Sequence, residues 1–235
     1  MIAELLSSFG PGALRLLAMA GLLGVAACGT SGQTPWAPSS TVGAAAPPRL
    51  DIVAFGDSLT AGPGLQPHET YPAVLQPKLD AAGLNYRMVN AGLSGDTTTG
   101  GLQRFERSLT ASTRVVILAL GANDGFRGVP VATVRRNLDA MIGIAKARGI
   151  DVLLCGMEAP PVHGWQYSLD FHFMFPELAA QHQVPLVPFM LTGVLGRTDL
   201  NLEDGLHPNA DGARQVAENI WPHLEPMLKR AVITN

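Results

Sequence analysis

Ser58 stands where a nucleophile would be presented. The stretch from Ile52 to Gly62 carries an apolar, strand-forming run, Ile52 to Phe55, through Gly56 and Asp57 into a turn of small residues that begins at Ser58. A serine hydroxyl attacks a carbonyl well only when a base takes its proton, so Ser58 requires a histidine and a carboxylate elsewhere in the chain. Asp204 and His207 answer that requirement. They lie three apart with Gly205 between them, so a turn can bring their side chains together, and Pro208 holds His207 to extended backbone, which helps fix where its ring points. In such a set Ser58 attacks, His207 takes the proton and returns it to the leaving group, and Asp204 fixes the imidazole tautomer and stabilises the imidazolium. The developing oxyanion needs donors already in place: the Ser58 backbone N–H, a glycine N–H from Asn90–Thr97, and the Asn123 side-chain amide.

Positioning these residues falls to an alternation of strands and helices. Strands are expected at Leu50–Phe55, Tyr86–Asn90, Val115–Leu120, Val152–Cys155 and Leu186–Pro188. Between and after them, Tyr71, Val74, Leu75 and Leu79 share a helical face, as do Val134, Leu138, Met141, Ile142 and Ala145, and also Ala213, Ala217, Ile220, Leu224 and Met227. Continuously apolar strands separated by helices imply a parallel sheet covered on both faces. Sheets of this kind bind ligands beyond the carboxyl ends of their strands. The polar clusters Gly56–Leu59, Asn90–Thr97, Gly121–Gly125 and Asp204–Asn209 all follow expected strands and so share one rim.

With 235 residues, 47% of them hydrophobic, the chain is expected to form one folded domain of ordinary globular composition. A net charge of −3 with no dense basic run excludes nucleic acid as a partner. The two cysteines, Cys28 and Cys155, build no disulfide framework and have no metal-ligand spacing. Residues 1–28 carry Arg15, an apolar stretch from Leu16 to Ala27 and the run Val25-Ala26-Ala27-Cys28, which resembles the bacterial lipoprotein cleavage box. The expectation is a lipid anchor at Cys28 on the periplasmic side of a bacterial membrane, the alternative being plain export as a soluble protein. Residues 29–48 are Gly, Ser, Thr, Pro, Ala and Gln with little else, a flexible linker, and the folded domain is expected over 49–230.

Gly56-Asp57-Ser58-Leu59, Ser94-Gly95-Asp96-Thr97, Gly121-Ala122-Asn123-Asp124-Gly125 and Asp204-Gly205-Leu206-His207-Pro208-Asn209 together resemble the GDSL or SGNH hydrolase family, all four blocks standing in the family's order. The resemblance covers about residues 50 to 215. It implies a flavodoxin-like three-layer α/β/α fold with a five-stranded parallel sheet, neither cofactor nor metal, and Gly95 as the oxyanion glycine beside Ser58 and Asn123. Within the family the chain looks closest to bacterial exported enzymes that act as thioesterase, lysophospholipase and arylesterase. Phe126 and Val129 would then sit beside the acyl pocket, with Met157 and Pro160 on the opposite wall. Glu158 departs from that branch, where a basic residue is usual, so acyl preference does not carry over.

The substrate expected is a small acyl ester or thioester, lysophospholipid included. A carbohydrate O-deacetylase of the same family is the nearer alternative and a non-catalytic binding lipoprotein the more distant one. Asp57, Asp96 and Asp124 read as turn formers and supporting partners rather than metal ligands. His163 and Trp165 read as packing in the loop after the fourth strand.

Overall fold

The computed structural model describes residues 48–233. The expected signal segment 1–28 with Cys28, and all but the last residue of the expected linker 29–48, lie outside the described residues.

Strand β1 (Leu50–Gly56) is buried from Asp51 onward, which explains its apolar run Ile52–Phe55, while the buried Asp51 is held by Arg87 at 2.8 Å. It is flanked on both sides by parallel partners. β2 (Tyr86–Gly92) pairs along one edge with Ala54 opposite Asn90, and β3 (Thr113–Ala119) along the other with Ala54 opposite Ile117. β4 (Asp151–Cys155) and the short β5 (Leu186–Val187) continue the parallel sheet, giving five strands in the order β2-β1-β3-β4-β5.

That order distributes the helices. After β1 come the single turn α1 (Ser58–Ala61) and then α2 (Tyr71–Ala81), and the chain steps outward to β2. Every later connection steps the other way: α3 (Thr98–Phe105) to β3, α4 (Ala122–Arg127) and α5 (Val131–Ala147) to β4, and α6 (Trp165–His182) to β5. Because such crossovers are right-handed, a reversal of direction places α2 on one face and α3, α5 and α6 on the other. The packing agrees: α2 meets the C-terminal α7 (Ala210–Ile233), whereas α5 meets both α3 and α6. The three-layer expectation is met.

The helical faces read from the sequence are the ones buried. Tyr71, Leu75 and Leu79 of α2, Leu138, Met141 and Ile142 of α5, and Ala217, Ile220 and Leu224 of α7 all lie in the core. Cys155 is a buried, free thiol that burial pushes up to about 12, a small apolar side chain in effect. One expectation needs correction. Trp165 does not lie in a loop: it opens α6, whose apolar residues Phe171, Phe175 and Leu178 reach the core.

Candidate active site

Gly56 ends β1 because nothing larger fits there: a Cβ would stand 2.1 Å from the Thr60 hydroxyl and 2.7 Å from the Ala119 carbonyl oxygen. The chain turns at once. Asp57 caps α1, its Oδ1 accepting from the Leu59 N–H at 3.0 Å, so Ser58 is the first residue of that turn. Gly92, at the end of β2, allows α1 to approach, since a Cβ there would meet the Ala61 backbone nitrogen at 2.2 Å. Arg104 then ties the strand ends together. It pairs with Asp96 at 2.7 Å, donates to the carbonyls of Ala91 and Gly56 at 2.8 Å each, and lies 4.0 Å above the Phe55 ring.

His207 arrives from the loop before α7. Gly205, at φ 67°, permits the left-handed turn that lets Asp204 Oδ1 accept from the Leu206 and His207 backbone N–H groups at 2.9 Å each. The other oxygen, Oδ2, faces His207 Nδ1 at 2.6 Å, and Nε2 of the same ring lies 2.9 Å from Ser58 Oγ. With the Nδ1 proton donated to the carboxylate, Nε2 is left to accept from the serine hydroxyl. The donations from His207 and Leu206 hold the Asp204 carboxyl down at about 2, so it is ionised throughout the ordinary pH range. A hydroxyl, an imidazole and a carboxylate in this line are able to activate the hydroxyl for attack on a carbonyl.

Asn123 lies at the start of α4, beyond β3, and its Nδ2 donates to Asp57 Oδ2 at 3.3 Å. Asp57 is fully buried. Desolvation pushes its carboxyl up to about 6 against the pull of the Leu59 and Asn123 donors. Asp124, also buried, anchors the neighbouring loop by accepting from Thr98 through both its backbone N–H and its hydroxyl, at 2.8 and 2.7 Å. Gly95, at φ 77°, lies in the turn after β2, and Arg127 of α4 donates to its carbonyl at 3.0 Å. Asp57, Asp96 and Asp124 thus act as capping and supporting partners, and among the described residues no cluster of His, Cys, Asp and Glu is arranged to hold a metal ion.

A cavity of about 270 Å3 opens over Ser58 and His207. Asn123, Phe126 and Met157 line it as expected. Val129 and Pro160 do not. The Val129 side chain packs partly buried against the core while its carbonyl accepts from Tyr167 at 2.9 Å, and Pro160 caps the short 3-10 turn Pro161–His163. Gly95 also lies outside the cavity lining. In their place the wall is completed by Leu59 and Leu206, next to catalytic-type residues in sequence, and by Phe189, Leu191 and Leu195 from the chain after β5. The sequence signal for the last three is only an apolar spacing in a segment without strand or long helix. Glu158 lines the same cavity, its Oε1 held at 2.7 Å by His172 Nδ1 of α6.

Fold and site together define an SGNH-type hydrolase architecture, and the sequence profile of the GDSL-like lipase/acylhydrolase family matches residues 54–215. The chain belongs to that family. It is 40% identical over 178 residues to an esterase, TesA, of Pseudomonas aeruginosa, a match spanning 75% of this chain and 89% of the relative. It is 33% identical over 178 residues to an Escherichia coli protein described as thioesterase 1/protease 1/lysophospholipase L1, spanning 75% and 84%. The crystal structure of TesA superposes with a TM-score of 0.72 at 39% identity, covering 75% of this chain and 99% of that one.

Proposed function

We propose that this chain hydrolyses carboxylic esters and thioesters of acyl chains through an acyl-enzyme on Ser58. The observation that carries the reading is the unbroken line Ser58 Oγ, His207 Nε2, His207 Nδ1, Asp204 Oδ2, with gaps of 2.9 and 2.6 Å at its two hydrogen bonds. The names of the relatives, an esterase and a thioesterase/lysophospholipase, support the choice of bond.

In the first half-reaction Ser58 Oγ bonds to the carbonyl carbon as its proton passes to His207 Nε2. The carbonyl oxygen becomes an oxyanion, met by the Ser58 and Gly95 backbone N–H groups and the Asn123 amide. Collapse breaks the bond to the alcohol or thiol, which leaves with the proton from His207. Water then enters, gives its proton to His207 and attacks the acyl carbon, and the second collapse returns the proton to Ser58 Oγ. Asp204 stays ionised throughout. The apolar wall formed by Phe126, Met157, Phe189 and the neighbouring leucines suits the acyl chain, and an acyl ester of lysophospholipid type satisfies the same chemistry.

The test is a panel on the purified domain, comparing p-nitrophenyl acyl esters of increasing length, acyl thioesters and acetylated sugars. The value of kcat/KM is expected to rise with chain length by up to about fourfold per methylene, the equivalent of about 0.8 kcal/mol buried, until the cavity is filled. Ser58→Ala and His207→Ala are each expected to lower kcat by about 10,000-fold or more, with the double variant scarcely worse because the residues work as a unit. Preference for acetylated glycans over medium-chain esters would reject the acyl-chain reading in favour of a deacetylase. Robust turnover without His207 would reject the triad.

A further inference from the structure

Among the described residues Glu158 is the one carboxylate that lines the cavity, and no lysine or arginine lines it. The only other ionisable side chain there, His207, is committed to Ser58 and Asp204. Arg127, the cation on α4, is turned to the Gly95 carbonyl and stands outside the lining. Glu158 is also held in one pose. His172 of α6 fixes Oε1 at 2.7 Å, leaving Oε2 with no partner among the described residues. An exposed carboxylate–imidazole pair contributes little to stability, and with side-chain exposures of 34% and 49% this pair is of that kind. Its consequence is electrostatic. A negative charge sits in a cavity whose other lining residues, apart from Ser58, Asn123 and His207, are apolar, with Phe126 and Phe189 the two aromatic ones. Carboxylate and aromatic faces in one concavity are the combination that receives an ammonium group, through charge on one side and ring quadrupoles on the other.

We infer that this cavity selects esters whose distal end carries an ammonium group and disfavours those ending in a carboxylate, with Glu158 the specificity-determining residue and His172 its positioning partner. The inference rests on the esterase reading above. It names the far end of the substrate that the triad would open.

Three p-nitrophenyl esters matched in length, ending in methyl, trimethylammonium or carboxylate, separate the possibilities. The wild-type chain is expected to favour the trimethylammonium over the carboxylate ester by about 10-fold or more in kcat/KM, as charge and cation–π contacts to a quaternary ammonium allow. Added salt should narrow that ratio while leaving the methyl ester little affected. E158Q should bring the ratio close to unity and E158K should invert it. H172A should narrow it by releasing the carboxylate, and H172Q, which still donates a hydrogen bond, should restore most of it. A wild-type ratio near unity in an enzyme that turns over the methyl ester overturns the inference and leaves the esterase reading standing, as does an E158Q variant with the wild-type ratio. Failure to turn over any of the three removes the esterase reading and this inference with it.

Discussion

Asp57 is the residue whose environment most conflicts with its charge. It is fully buried, and its carboxyl is pushed up to about 6 from an ordinary value of 3.8. The unfolded chain therefore loses this proton at lower pH than the folded chain does, and stability falls as pH rises from about 4 to about 6, then levels. The decline attributable to Asp57 is about 3 kcal/mol by linkage. Urea unfolding at pH 4, 5, 6 and 7 checks it: the stability of wild type minus that of Asp57→Asn is expected to shrink across this window, whereas a difference independent of pH would mean that Asp57 titrates as an ordinary carboxyl. Ionised Asp57 also holds the Asn123 amide, and the amide matters most once charge has formed on the carbonyl oxygen. Asn123→Ala is accordingly expected to lower kcat by about 100- to 1,000-fold with little change in KM; a loss mainly in KM would make Asn123 a ground-state binding residue instead. Ser58, Asn123, Asp204 and His207 were legible in the sequence because each sits in a short block that follows a strand or ends a tight turn. The cavity wall was only half legible. Phe126 and Met157 line the cavity as the sequence blocks imply, but Phe189, Leu191 and Leu195 come from a chain segment whose path no local pattern specifies, and Val129 stays outside because its side chain packs against the core.

At the level of elements the four main strands and three of the long helices were readable, since each buries a continuous run or a single stripe. Helix α6 was not. Its inner face repeats apolar residues at Phe171, Met174, Phe175 and Leu178, but its outer face also carries Trp165, Leu169 and Phe173, exposed at 75%, 48% and 54%. Apolar residues on both faces erase the period, and Pro176 within the helix is a further breaker signal. What the helix does for the site is visible in its packing. The Phe171 ring lies between those of Tyr167 and Phe175, at centroid distances of 6.0 and 5.6 Å. Its tip packs beneath α4 at van der Waals distance: a Cβ on Gly121 or Gly125 would meet it at 3.5 or 3.4 Å, with the Phe175 ring at 3.3 Å from the first. Those glycines bracket Asn123. Phe171→Ala is thus expected to cost about 3–5 kcal/mol of stability, and, below the unfolding midpoint, to reduce kcat more than KM because the floor under Asn123 is gone. Denaturant unfolding and steady-state kinetics on the same sample read both effects; a stability loss with kcat intact would show that α4 is held from elsewhere.

Parallel topology explains how one chain gathers these groups. Every strand ends at the same edge of the sheet, so Ser58, just beyond β1, and His207, on the long chain segment between β5 and α7, meet although they are 149 residues apart. Every residue of the triad, the oxyanion donors and the cavity lining falls between Ser58 and His207, within the compact unit Ala46–Asn235. The proposed chemistry does not call on Cys28. Among the described residues no helix is long and apolar enough to cross a membrane. We propose that Cys28 carries acyl chains, which hold a protein stably at a bilayer when more than one is present. Chemistry and attachment are then separable. A chain beginning at Ala46 is expected to keep the wild-type kcat/KM on soluble esters. Expressed with residues 1–45, the protein is expected in the membrane fraction with lipid mass on a mature N-terminal Cys28, and Cys28→Ala is expected to release it without changing kcat/KM. Wild-type and Cys28→Ala chains that fractionate alike, with no lipid mass on the mature terminus, would leave plain export in place of the anchor. A shortened chain that lost turnover while still folding would mean that the preceding residues contribute to the site after all.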